Sequence, residues 1–258
     1  MVAASFDRID LTDRVITVTG GAGGIGKATA MLCAARGAQV LIADLDEARG
    51  ARVVQDIRDT GGRAAFKRTD VTQENDVAAM VEYAVSTFGG LNGAFNNAGM
   101  MTGNLALSDF PLDRWQRGIA INMTSVFLCV KHQLRHMLDH GGGAIVNNAS
   151  ASGMVGIPMA VNYVGTKHGV IGITRAAAAE VSDKGIRVNA ILPGAVETPL
   201  LQEALQVAEV RDAVVAGHPI GRIAQAEEIA EAAAWLLSDA SSFIAGSCVV
   251  LDGGYTAL

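Results

Sequence analysis

Short runs of apolar, β-branched residues alternate along the chain with longer, alanine-rich stretches whose apolar positions recur at helical spacing. "RVITVTG" precedes a helical stretch over 25–36, "AQVLIAD" one over 46–59, and "AAFKRTDV" one over 73–88. The alternation continues through "LNGAFNNAG", a helix over 112–138, "GAIVNNAS", a helix over 160–183, "IRVNAILPG", a helix near 226–238, and "SCVVLDGG". Seven strands separated by helices predict a parallel sheet covered on both faces, a doubly wound α/β fold. Ligands of such sheets lie outside the carboxyl ends of the strands, so those ends are where chemistry is sought. No linker, repeat or low-complexity tract divides the 258 residues, which read as one domain with an inserted helical segment at 199–216.

Composition narrows the partners. Half the residues are hydrophobic, 18% are charged, and the 30 glycines follow no collagen-like period, as in a globular protein. A net charge of −6 without any Lys/Arg run argues against nucleic acid or an anionic membrane and for a small molecule. Cys33, Cys129 and Cys248 are odd in number and lack CxxC spacing, which suggests neither a disulfide framework nor a zinc site and fits a reducing cytoplasm. The opening "MVAASFDRIDLTDRV" lacks the apolar core of a signal peptide, and no run of about 18 apolar residues occurs.

The strand ends carry the candidate chemistry. The first ends in "TGGAGGIG" (19–26) just before a helix. Glycines there let backbone approach a phosphate while the helix N-terminus offers free N–H groups, so Gly20, Gly23, Gly24, Ile25 and Gly26 are dinucleotide candidates. The second ends at Asp44, with Leu45 beside it, eighteen residues after Gly26. A carboxylate there accepts hydrogen bonds from ribose hydroxyls and repels a 2′-phosphate, which predicts NAD over NADP. Alternatively Asp44 caps the next helix, a role open to Asp46, and Lys27 and Arg49 are near enough in sequence to meet a phosphate. By position, Asp70 and Val71 would flank an adenine, and Asn97, Ala98 and Gly99 the nicotinamide-side ribose. The fifth strand closes with Ser150, a hydroxyl placed to hold a substrate oxygen; Ser152 is the nearby alternative. Thirteen residues after Ser150, Tyr163 and Lys167 stand four apart in "NYVGTKHGV", on one helix face. A cation beside a phenol favours phenolate, and bringing tyrosine from its usual ~10 towards neutrality needs roughly 4 kcal/mol.

"TGGAGGIG", "NNAG", Asn122, Ser150, "YVGTK" and "PGAVETP" occur together in the order and spacing of one family. Over essentially its whole length the chain resembles the short-chain dehydrogenases/reductases with Tyr-x-x-x-Lys spacing. The resemblance implies a Rossmann-type domain, a homotetramer, and a catalytic tetrad of Asn122, Ser150, Tyr163 and Lys167. In it Tyr163 is the acid/base, Lys167 and the nicotinium charge lower its pKa, and Asn122, at a distortion in its helix, holds a water that relays protons. It further implies that Val196 and Thr198, after Pro193 and Gly194, contact the nicotinamide.

The remaining features refine the expectation. His132, His136 and His140 recur at four-residue spacing without an obvious fourth ligand, so no metal is expected. Met100, Met101, Met154, Ile157 and Met159 follow strand ends, as core or as a pocket wall; with Ser152, Met154 and Met159 as wall, the substrate is rather apolar. The segment 199–216 is expected to form a lid. The function expected is NAD-dependent interconversion of a cyclic or otherwise apolar secondary alcohol and its ketone. Its rivals are a 3-oxoacyl-carrier reductase, disfavoured by Asp44 and Gly23, and a non-catalytic NAD sensor, which would need neither Tyr163 nor Lys167.

Overall fold

A computed structural model describes residues 9–202 and 204–257. The start of the chain through Arg8, and Glu203 within the segment read as a lid, lie outside the described residues. Strand β1 (Val15–Thr19) leads into α1 (Gly24–Ala35), β2 (Gln39–Asp44) into α2 (Glu47–Asp59), and β3 (Arg63–Arg68) into α3 (Glu74–Phe88). After β4 (Gly93–Asn96) come α4 (Leu112–Ile119) and α5 (Ser125–Asp139), joined through a π-helical turn over Ala120–Thr124. Then follow β5 (Gly143–Asn148), α6 (Val161–Val181), β6 (Ile186–Pro193), α7 (Pro199–Gln202), α8 (Ala208–Ala216), α9 (Ala226–Leu237) and β7 (Cys248–Leu251). The seven strands form one sheet in the order β3-β2-β1-β4-β5-β6-β7, each adjacent pair parallel.

Alternation along the strands sends side chains into two apolar layers. Ile16, Val18, Val40, Ile42, Val146 and Ile191 pack with α1, α2 and α9 on one face. Leu41, Ile145, Val188 and Leu192 pack with α3, α5 and α6 on the other. Both faces are therefore covered, as the continuous apolar runs required.

Two elements differ from the sequence reading. The third strand stops at Arg68 rather than running through "TDV", because the Asp70 carboxylate takes the N–H and hydroxyl of Thr72 and turns the chain. The helix expected over 112–138 is interrupted by the π turn. The segment 199–216 consists of α7, a short turn at Ala204–Gln206 and α8.

Between β1 and β4 the strand order reverses direction, and a cleft opens at such a switch point. Ile145, at the centre of the sheet, is wholly buried. Ile145→Ala is expected to lower unfolding free energy by about 2–5 kcal/mol, with little change in the urea m-value, as measured by circular dichroism.

Candidate active site

One large cleft of about 1480 Å³ lies along the carboxyl ends of β1, β2, β4, β5 and β6. Its floor at β1 is the glycine loop. Gly20 has φ +63°, and a Cβ on Gly26 would collide with the Gly20 carbonyl, so loop and helix start approach as closely as glycine allows. Gly20, Gly23, Gly24 and Ile25 line the cleft, as do Asp44, Leu45, Asp70, Val71, Asn97, Ala98 and Gly99. Gly26 sits behind them and sets the packing. Asn97 ties this corner together: its amide nitrogen donates to the carbonyls of Thr19 (3.1 Å) and Gly20 (3.2 Å), and its oxygen accepts from Asn148 (2.8 Å).

The two acidic residues after β2 divide the work. Asp46 caps α2, accepting from the Arg49 backbone (2.9 Å) and its Nε (2.6 Å). Asp44 is free of that role; its carboxylate accepts the N–H of Ala22 at 3.0 Å and of Asp46 at 3.1 Å. Lys27 is held by Asp56 (2.9 Å) and Arg49 by Asp46, so each cation near the loop already has a carboxylate.

At the other end the sequence-predicted catalytic residues converge. Ser150 stands two residues beyond β5 in extended backbone, with its hydroxyl accepting from the Ser152 N–H at 3.1 Å and donating to the Pro193 carbonyl at 3.5 Å. Tyr163 and Lys167 occupy the first two turns of α6 and line the cleft together with Ser150. The Lys167 ammonium is buried, donates to the Asn148 carbonyl at 2.8 Å, and lies 5.4 Å from the centre of the Tyr163 ring. Burial pulls its pKa down from 10.5 to about 8.

Without a cofactor, burial pushes the Tyr163 phenol above its ordinary value, and the Lys167 ammonium beside it is itself desolvated and turned to the Asn148 carbonyl. Asn122 lies in the π-helical turn, and its side chain bonds both polar atoms of the Met100 backbone at 2.8 Å.

The pocket wall also departs from the sequence reading. Met100, Met101, Ile157 and Ser152 line the cleft, whereas Met154 and Met159 do not and are about half exposed. Pro193, Gly194, Val196 and Thr198 line it as expected. Helix α8 presents Glu209, Val210, Ala213, Val214 and, just beyond its end, Gly217 along one stripe. His218 and Tyr255 were not singled out from the sequence, because neither belongs to a motif and their meeting depends on the return of β7 beside β6. Among the described residues no group of three or more His, Cys, Asp or Glu could hold a metal: His132 bonds Glu74, and His136 stacks on His140. No helix among them is long and apolar enough to cross a membrane.

The family profile described as "Enoyl-(Acyl carrier protein) reductase" matches residues 20–256. The chain is 49% identical over 251 residues to the 2,5-dichloro-2,5-cyclohexadiene-1,4-diol dehydrogenase of Sphingobium indicum, covering 96% of this chain and 99% of that one. It is 44% identical over 244 residues to the cyclohexanol dehydrogenase of an Acinetobacter species, covering 95% of each. The crystal structure of a short-chain type dehydrogenase/reductase from Mycobacterium marinum superposes with TM-score 0.93 at 36% identity, covering 98% of this chain and 99% of that one.

The buried ammonium leads to a test of stability against pH. A lysine whose folded pKa is about 8 against 10.5 binds fewer protons folded than unfolded between those values, so its presence makes stability rise with pH across that window. Lys167→Met is expected to remove that rise, to be at least as stable as wild type at pH 7, and to lose activity; thermal melts from pH 6 to 10 check it.

Proposed function

Because the chain belongs to the short-chain dehydrogenases/reductases, we propose that it interconverts a cyclic, apolar secondary alcohol and its ketone, using NAD. The observation that carries this reading is the meeting of Ser150, Tyr163 and Lys167 at one end of a cleft whose other end is the glycine loop. The loop and the start of α1 fit the pyrophosphate, since glycine packing leaves backbone rather than side chains facing the cleft. When bound, NAD would supply the hydride acceptor and, in its oxidised form, a positive charge near Tyr163.

The chain's own groups do the rest. Ser150 holds the substrate oxygen. Tyr163 takes the proton from that oxygen during oxidation and returns it during reduction. Its phenol, raised by burial alone, needs positive charge nearby to act near neutrality, and Lys167 with the cofactor is the source. Lys167 also reaches the ribose hydroxyls, Val196 and Thr198 hold the carboxamide, and Asn122 fixes the Met100 segment that bounds the pocket.

NAD rather than NADP is supported by charge. Each Asp44 oxygen keeps a lone pair for a ribose hydroxyl, and the two nearby cations are already paired. The wall formed by Met100, Met101, Ile157 and Val210 suits an apolar ring, in keeping with the cyclic alcohols named for its relatives. We further read the chain as one domain closed by a lid at 199–216. It would act in a reducing cytoplasm, where its three free cysteines stay reduced, and assemble as a homotetramer in which the half-exposed Phe127 and Leu138 of α5 are covered.

Two measurements test this. Purified protein is expected to form reduced nicotinamide from NAD and cyclic secondary alcohols, and Tyr163→Phe to keep NAD affinity while kcat falls by about 10²–10⁴-fold. Silence of the wild type across such a panel with NAD bound would favour the sensor. Asp44→Ala is expected to narrow the NAD over NADP ratio in kcat/KM by about tenfold or more; an unchanged ratio would reject the role given to Asp44.

A further inference from the structure

His218 stands two residues beyond α8, is 7% exposed, and is used by none of the chemistry above. Its Nε2 accepts the N–H of Ala195 at 3.0 Å, and its Nδ1 meets the carbonyl of Val214 at 2.7 Å. A ring that accepts at Nε2 and donates at Nδ1 is the neutral Nδ1–H tautomer. The same ring stacks on Tyr255, with centres 5.2 Å apart and planes at 26°. Against it lies Gly194, where a Cβ would come within 2.7 Å of Nε2 and 2.9 Å of the Asp252 Cα. Imidazole, loop and the turn after β7 thus close on each other with no room for a side chain at 194.

This joint has unusual leverage. Helix α8 contributes no buried residue, so little apolar packing fixes it to the scaffold. Its carboxyl end is instead fixed through the Val214 carbonyl and the His218 ring. The ring's other nitrogen satisfies the backbone of the segment Gly194–Thr198, which is also tied from Ala195 and Glu197 to Ala224, from Gly194 to Leu251, from Thr198 to α7 and from Glu197 to Gln225, and packs Val196 into the core. One side chain therefore joins the wall made by α8 to the wall made by the 194–198 loop. Without it, the Ala195 N–H would be left without its acceptor, and a buried unmet N–H drives the backbone to rearrange.

We propose that His218 is a positioning residue that couples the lid helix to the cofactor loop, so that NAD and alcohol are each bound well only while this imidazole bridges the two. The proposal rests on the reading of Gly194–Thr198 as the nicotinamide-side loop. It predicts a signature that a merely structural histidine would not give: the affinities for cofactor and for alcohol weaken together, and restoring the acceptor alone restores both.

The test titrates NAD calorimetrically into wild type, His218→Phe and His218→Gln, with melting temperatures and steady-state KM for the best cyclic alcohol measured alongside. Phenylalanine keeps the stack on Tyr255 but neither hydrogen bond, and is expected to raise both the NAD Kd and the alcohol KM by about fivefold or more. Glutamine places an amide oxygen where Nε2 stood and is expected to bring both constants back to within about twofold of wild type. Unchanged constants in His218→Phe, whatever its melting temperature, would overturn the proposal. If His218→Phe does not fold, His218→Asn takes its place, since asparagine can still donate to Val214 but cannot reach Ala195; equal NAD affinity in the Gln and Asn variants would then overturn it. Failure of the wild type itself to bind NAD would bring down the cofactor reading and this proposal with it, an outcome distinct from a wild type that binds and a variant that binds equally well.

Discussion

The arrangement of this site depends on how Asn97 bridges the two halves of the sheet. At the switch point β1 and β4 lie side by side and their continuations part, so backbone carbonyls beyond the last strand bonds are left facing each other. The Asn97 amide satisfies two of them, at Thr19 and Gly20, while its own N–H and that of Ala98 are taken by the Thr19 hydroxyl. Through Asn148 the same network reaches β5 and the carbonyl that holds Lys167. Glycine loop, Asn97 corner and the Tyr163–Lys167 pair are thereby held in one frame. Beneath it, Asn96, Gln133, Asn147 and Thr174 form a buried chain of hydrogen bonds joining β4 and β5 to α5 and α6. Buried amides without such partners would be costly, so the network also fixes which register these elements adopt.

What could be read from the sequence follows the range of the interactions. The strands and the helices packed on them were legible because burial on two faces imposes continuous apolar runs, and glycine marks close backbone approach. The roles of Asp44 and Asp46 were open in the sequence, since either could start α2; a hydrogen bond to the Arg49 backbone decides it. Met154 and Met159 show the opposite limit. Their spacing after Ser150 suits a pocket, but at Met159 the backbone takes a positive φ of 64° and both side chains emerge into solvent. His218 was illegible because its partners come from residues 194–195, 214 and 255, brought together only by tertiary folding.

The tyrosine and lysine show that proximity and activation are separate matters. Four-residue spacing correctly put them on one face, and the pair do lie side by side. Yet burial acts on both, raising the phenol and lowering the ammonium, so enclosure by the protein opposes ionisation of each. The polypeptide thus holds both groups in place at an electrostatic cost set by burial.

Helix α6 serves two masters. Its first turns carry Tyr163 and Lys167, and its later turns bury Val170, Ile171, Thr174, Ala177, Ala178 and Val181 in the core. Local opening of this helix would have to expose that apolar face, so its amide protons belong with those that exchange only when the whole molecule unfolds. Across the cleft, α8 contributes no buried residue and has no such apolar anchor. Anchorage is thus assigned unequally to the two walls of a single cavity: the wall that carries Tyr163 and Lys167 is rooted in the core, and the wall built by α8 rests on its surface.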